Sequence, residues 1–232
     1  MAFAAATALA SALYWTGRVV PVVGRNLHAC IAVIFLYVPA LAARISHRPF
    51  DYRDAGLRAD PVVLNLKVLG AALAVTWPVF AIGFFLYYGF VCGPDTGALT
   101  RLLGQICGSW RGFDRGAFEL PESFALLAAV QLVVIAVPEE LFFRGYLMGR
   151  LEERWPSSRR VAGALVGRAL VVSSLLFAVG HVLVDFNPQR FSVFFPALVF
   201  GWMRARTGSI AAGAAYHALC NLFSDVLHIS FF

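Results

Sequence analysis

Charge is scarce in this chain. Only 14% of its 232 residues are charged, against about 25% in an ordinary soluble domain, and lysine occurs once, at Lys67. Cysteine is sparse too. The four cysteines show no CxxC spacing, which removes zinc ribbons and thioredoxin-like redox motifs. Cys30 and Cys220 fall in apolar segments and read as core residues. Cys92 and Cys107 share one connecting segment, where a disulfide requires an oxidising compartment. HExxH is absent, and Ser173, Ser174 and Cys220 have no GxSxG-like setting, so neither a zincin nor a serine-hydrolase signature is present. There is no internal repeat and no low-complexity stretch. The formal charge of +6 is not gathered into a basic, aromatic-interleaved run, so it does not point to nucleic acid. The apolar start, Met1 to Leu13, has no basic n-region or cleavage site and reads as an interfacial or first membrane helix.

What fills the chain is apolar. Hydrophobic residues make up 60% of it and mean hydropathy is +0.74. The composition predicts an all-α, polytopic transmembrane bundle of about six to eight helices forming one membrane domain over residues 1–232. Apolar segments run over Ala2–Leu13 (continuing toward Val23), Leu27–Ala43, Val62–Val91, Ser123–Gly149, Arg168–Val184, Phe191–Met203 and Ile210–Phe232. The Val62–Val91 segment is long enough to tilt, with Pro78 as a site for a kink. Arginines concentrate in three connections. Arg44, Arg48, Arg53 and Arg58 lie in the first; Arg150, Arg154, Arg159, Arg160 and Arg168 in the second; Arg204 and Arg206 in the third. Helix alternation puts all three on one side, which the positive-inside rule makes cytoplasmic. The other side holds Arg18, Arg25, Arg101, Arg111, Arg115 and Arg190, balanced by Asp95, Asp114, Asp185, Glu119 and Glu122. It also takes Gly93–Glu122 and the C-terminus.

Against that background the polar residues inside the apolar segments stand out. Pro138-Glu139-Glu140-Leu141-Phe142-Phe143-Arg144 sets two carboxylates and a guanidinium in one of them, and such groups at membrane depth mark functional sites. Phe177 to His181 and His217 to Asn221 add two histidines and an amide. Glu139 is eleven residues from Arg150, His181 thirteen from Arg168 and His217 eleven from Arg206, so at 1.5 Å per residue each lies about 16–20 Å from the basic surface. Three helices thus carry polar groups to one depth. Glu140 and Arg144, four apart, suit an ion pair, leaving Glu139 to face a cavity as general base and then general acid toward water. His181 can share that water. His217 and Asn221, also four apart, can donate to a developing oxyanion. Phe177, one turn before His181, packs beside the site. The same residues read as zinc ligands would be Glu139, His181 and His217, with the fourth position open to water. The metal-free reading is preferred because Asn221 is better placed as an oxyanion donor than as a ligand.

These residues resemble the CAAX prenyl protease and bacteriocin-processing family of glutamic intramembrane endopeptidases, the Abi-type proteases. Its EExxxR motif matches Glu139 to Arg144, its FxxxH motif Phe177 to His181, and its HxxxN/D motif His217 to Asn221. The resemblance covers about residues 123–221. It implies that the first glutamate activates water with help from the histidine of the second motif, while the histidine and asparagine of the third hold the oxyanion. It also implies a membrane-anchored protein or peptide substrate. High arginine and alanine with a single lysine point to a bacterial protein and hence to an inner membrane, and an N-terminal end shorter than in eukaryotic prenyl proteases argues against a CAAX substrate. Asp185–Ile210 is similar to myxosortase-type members, which trim the C-terminal tails of sorted surface proteins. Two other classes use such residues: a non-catalytic bacteriocin-immunity or scaffold member of the family, and a proton-coupled transporter, whose repeated halves and broken helices are missing here.

Overall fold

The structure is a computed structural model and describes residues 1–92, 107, 109–112 and 118–232. Arg101, Arg115, Asp95 and Asp114, counted above on the outer side, lie outside the described residues. The described residues form eight helices: α1 Ala2–Gly17, α2 Pro21–Arg25, α3 Leu27–Ile45, α4 Val62–Val91, α5 Phe124–Arg154, α6 Arg168–Asp185, α7 Phe194–Thr207 and α8 Ala211–Phe231. Four of them, α3, α4, α5 and α6, are long and apolar enough to cross a membrane. On α4, Leu66, Val75, Val79, Leu86 and Phe90 are all more than 60% exposed. An apolar surface of this extent is tolerated facing lipid, where the helix satisfies its own backbone. Pro78 sits inside α4 without ending it. At 30 residues the helix is about 45 Å long, well over the thickness of a hydrocarbon slab of about 30 Å.

The three arginine-rich connections meet on one face, as charge counting requires. Arg48 reaches Glu153 at 2.9 Å, and Arg150 donates to the Pro49 carbonyl at 2.8 Å. Ile210 N–H donates to the Gly56 carbonyl at 2.9 Å, and the Ser209 hydroxyl donates to the Arg58 carbonyl. At Gly145 a Cβ would stand 2.6 Å from the Ala55 carbonyl oxygen, so only glycine lets the first connection lie against α5. On the opposite face, Arg111 N–H donates to the Phe231 carbonyl at 2.8 Å. The Cys92 and Cys107 sulfurs are joined there, in keeping with a side that faces an oxidising compartment.

Two local features differ from the sequence reading. The connection 150–167, read as loop, contains an antiparallel ribbon of β1 Arg159–Val161 and β2 Ala164–Val166. Its two-residue turn has positive φ at both Ala162 and Gly163, the geometry that matches strand twist in a tight hairpin. The Phe191–Met203 segment divides into a 3₁₀ turn, Pro188–Val193, and α7. Pro188 starts the turn, and the Asn187 side chain caps it by accepting from Gln189 N–H at 3.0 Å.

Helix α5 is not a plain α-helix. Its hydrogen bonds widen to five-residue steps over Gln131–Ala136 and again over Leu141–Leu147. Val137 N–H, for instance, donates to Leu132 O, and Met148 N–H to Phe143 O. Pro138 has no N–H to give, so the ladder has to open near it. Wide turns of this kind occur often at functional sites.

Candidate active site

An α-helix of 3.6 residues per turn drifts about 40° for every four residues. The widened turns of α5 take up that drift. Gln131, Ile135, Glu139 and Phe143, spaced by fours, all line one cavity of about 800 Å³. The same wall carries Phe177 and His181 from α6, Phe200 from α7, and His217 and Asn221 from α8. Every side chain chosen above as catalytic therefore reaches this one cavity.

At its base, Glu139 Oε2 is buried and has no hydrogen-bond partner among the described residues. It stands 3.9 Å from His181 Nε2 and 3.9 Å from His217 Nε2. Both gaps are too long for a direct hydrogen bond and have room for a water between the partners. The His181 ring is oriented by its own helix. Its Nδ1 lies 2.9 Å from the Phe177 carbonyl oxygen and its ring 4.3 Å from that of Phe177. Since the carbonyl can only accept, Nδ1 carries a proton, and in the neutral ring Nε2 then presents a lone pair to the cavity.

Glu140 turns the other way. Its Oε1 is 3.0 Å from Arg144 Nη1, and the two side chains are 1% and 0% exposed. Arg144 also donates to the Ala197 carbonyl at 3.2 Å and lies over the rings of Phe177 at 4.3 Å and Phe200 at 4.9 Å. The expected Glu140–Arg144 pair is therefore present, with Glu139 outside it.

His217 and Asn221 are more entangled than their spacing suggested. His217 Nδ1 is 3.2 Å from Glu140 Oε1, and its ring stacks on Phe200 at 4.9 Å and 14°. It thus bonds Glu140 while its other nitrogen faces Glu139, whereas the metal-free sequence reading had given it the oxyanion and the zinc reading a place among the ligands. Asn221 Nδ2 donates to Gln131 Oε1 at 2.9 Å, and Gln131 Nε2 points on to Asp225 Oδ2 at 3.4 Å. One Asn221 amide hydrogen is thereby committed and the other remains for a ligand. Gln131 was missed by sequence reasoning: plain α-helical counting puts it about 80° from Glu139, eight residues on. The signal that could have found it was a lone amide in the apolar run Phe124–Val137.

The site thus defines a helical membrane protein with a buried acid–imidazole centre. Residues 121–223 match the family described as type II CAAX prenyl endopeptidase Rce1-like, so the resemblance drawn from the three motifs holds over the segment that builds the site. That family implies an intramembrane protease acting on membrane-associated proteins. No curated protein and no solved structure matches the chain.

Proposed function

We propose that this protein is an intramembrane endopeptidase that hydrolyses a peptide bond in or beside a membrane-anchored protein, using water activated by Glu139 and His181. The observation that carries the reading is the buried Glu139 Oε2, without a hydrogen-bond partner among the described residues, between two imidazole nitrogens at 3.9 Å. A carboxylate and an unprotonated Nε2 both accept, so a water between them gives each a proton and turns its lone pairs toward the cavity. On attack at the scissile carbonyl the water oxygen forms the new C–O bond and Glu139 takes the proton. As the C–N bond breaks, that proton passes to the leaving amine.

The developing oxyanion needs donors. Asn221 keeps one amide hydrogen free of Gln131. His217 donates from Nδ1 to Glu140 and, in its charged form, from Nε2 toward the oxyanion. Removing one such donor in a hydrolase typically lowers kcat by about 10²–10³. No metal enters this scheme; a zinc-dependent version would use Glu139, His181 and His217. Trimming of C-terminal tails of sorted surface proteins in a bacterial inner membrane suits the reading.

Glu139→Gln tests it. The amide keeps the size of the carboxyl but cannot take the proton, so cleavage should vanish while the protein still inserts and melts like the parent. Full activity in Glu139→Gln refutes the assignment.

A further inference from the structure

The cavity extends to the outer portions of its helices: its lining includes Tyr14 near the end of α1, His28 at the start of α3, and Gln189 and Arg190 from the turn before α7. Toward the arginine-rich face it ends on Phe35, Phe143, Phe177 and Phe200. Phe142 and Met203 pack in one cluster with these four, Leu141 packs with Ala55 and Ile210, and all three are 0% exposed. Nearer the arginine-rich face, Gly145 abuts the Ala55 carbonyl and Ile210 N–H is bonded to Gly56. A peptide approaching from that face would have to break this packing.

Helix lengths add a distance argument. His181 is four residues from the outer end of α6 at Asp185, and Phe200 six residues from the outer end of α7 at Phe194, or about 6–9 Å. Inward, His181 is thirteen residues from Arg168, about 20 Å. The outer wall is low where α6 gives way to the 3₁₀ turn. An Arg190–Asp185 ion pair at 2.7 Å holds that turn.

We infer that the site is loaded from the face opposite the arginine-rich connections. Its substrates are then segments exposed on the non-cytoplasmic side of membrane-anchored proteins, cleaved close to the membrane, and not tails on the cytoplasmic side. At about 3.3 Å per extended residue, two or three substrate residues span the way from the turn to Glu139. This deepens the peptidase reading and rests on it.

The test uses the full chain in sealed membrane vesicles of known orientation. In a Cys30→Ala/Cys220→Ala background, Gln189→Cys marks the mouth and Ser158→Cys the arginine-rich face. A membrane-impermeant maleimide added to right-side-out vesicles should label Gln189→Cys directly and Ser158→Cys only after permeabilisation. The reverse pattern overturns the inference whether or not the protein is a peptidase. In parallel, an impermeant quenched-fluorescent peptide library is added to right-side-out and inverted vesicles of the parent and of Glu139→Gln. Hydrolysis that depends on Glu139 should appear in right-side-out vesicles and be lost in inverted ones. Its appearance only in inverted vesicles overturns the inference. Labelling as expected with hydrolysis that survives Glu139→Gln upholds the access route and refutes the peptidase reading, so the two failures are separable.

Discussion

Glu140→Gln isolates the buried ion pair from the chemistry. In the parent, Arg144 Nη1 is 3.0 Å from Glu140 Oε1 with both side chains at or below 1% exposure, so neither charge has water to fall back on. The amide keeps an acceptor for His217 Nδ1 but removes the counter-charge of the guanidinium. The Ala197 carbonyl and the faces of Phe177 and Phe200 remain, yet they are present in the parent as well and offset nothing. Breaking one partner of a buried pair costs about 3–5 kcal/mol. For a chain of this size, at about 2–4 °C per kcal/mol, the melting temperature should fall by roughly 6–20 °C. Melting of the detergent-solubilised protein, followed by helical circular dichroism, reads this directly. Glu140→Gln/Arg144→Met removes both charges and should recover most of the loss, because an apolar replacement of a whole buried pair is often neutral. A Glu140→Gln protein that melts within about 2 °C of the parent, or a double variant that melts lower still, refutes the reasoning.

Exhaustive chelation with metal analysis should leave cleavage intact; loss on chelation with recovery by stoichiometric zinc would replace the water-activating pair with a Glu139/His181/His217 metal centre. Asn221→Ala should lower kcat by about 10²-fold with little change in KM. Gln131→Ala should fall in the same direction by less, since Asn221 stays but loses the acceptor that orients it; parent-like kcat in Asn221→Ala removes it from the oxyanion site. Gly145→Ala should destabilise by about 1–3 kcal/mol, seen in melting, because its Cβ meets the Ala55 carbonyl at 2.6 Å; an unchanged melting temperature would mean that the first connection is free to shift.

The membrane class, the helix segments and the meeting of the arginine-rich connections were legible because they follow from hydropathy and charge, which are properties of residues in sequence order. The convergence of Glu139 and His181 was legible through depth, since rise per residue is nearly constant along a helix; for His217 the count from Arg206 crossed the break between α7 and α8, and His217 stands only six residues into α8, about 9 Å. Rotation was less so. The pairing of Glu140 with Arg144 followed from four-residue spacing, but the link from His217 to Glu140 depends on how α8 is turned against α5. Nothing in either segment encodes that angle. Gln131 was hidden for a related reason: its place on the site depends on hydrogen bonds of α5 that depart from α-helical geometry. The hairpin at Ala162-Gly163 was hidden because three-residue strands carry too little alternation to read.

The widened turns of α5 also change what the helix is as an object. With steps of four returning to the same side, α5 behaves over Gln131–Leu147 as a square column whose edges run straight along its axis. One edge carries Gln131, Ile135, Glu139 and Phe143; the next carries Glu140 and Arg144. Neighbouring glutamates can then face a cavity and close-packed surroundings at the same level without competing, because each belongs to a different edge from end to end. Such a column is intolerant of changes in count. Deleting one residue between Gln131 and Glu139 would rotate the upper edge by about a quarter turn, carrying Gln131 off Asn221 while leaving the lower chemistry in place.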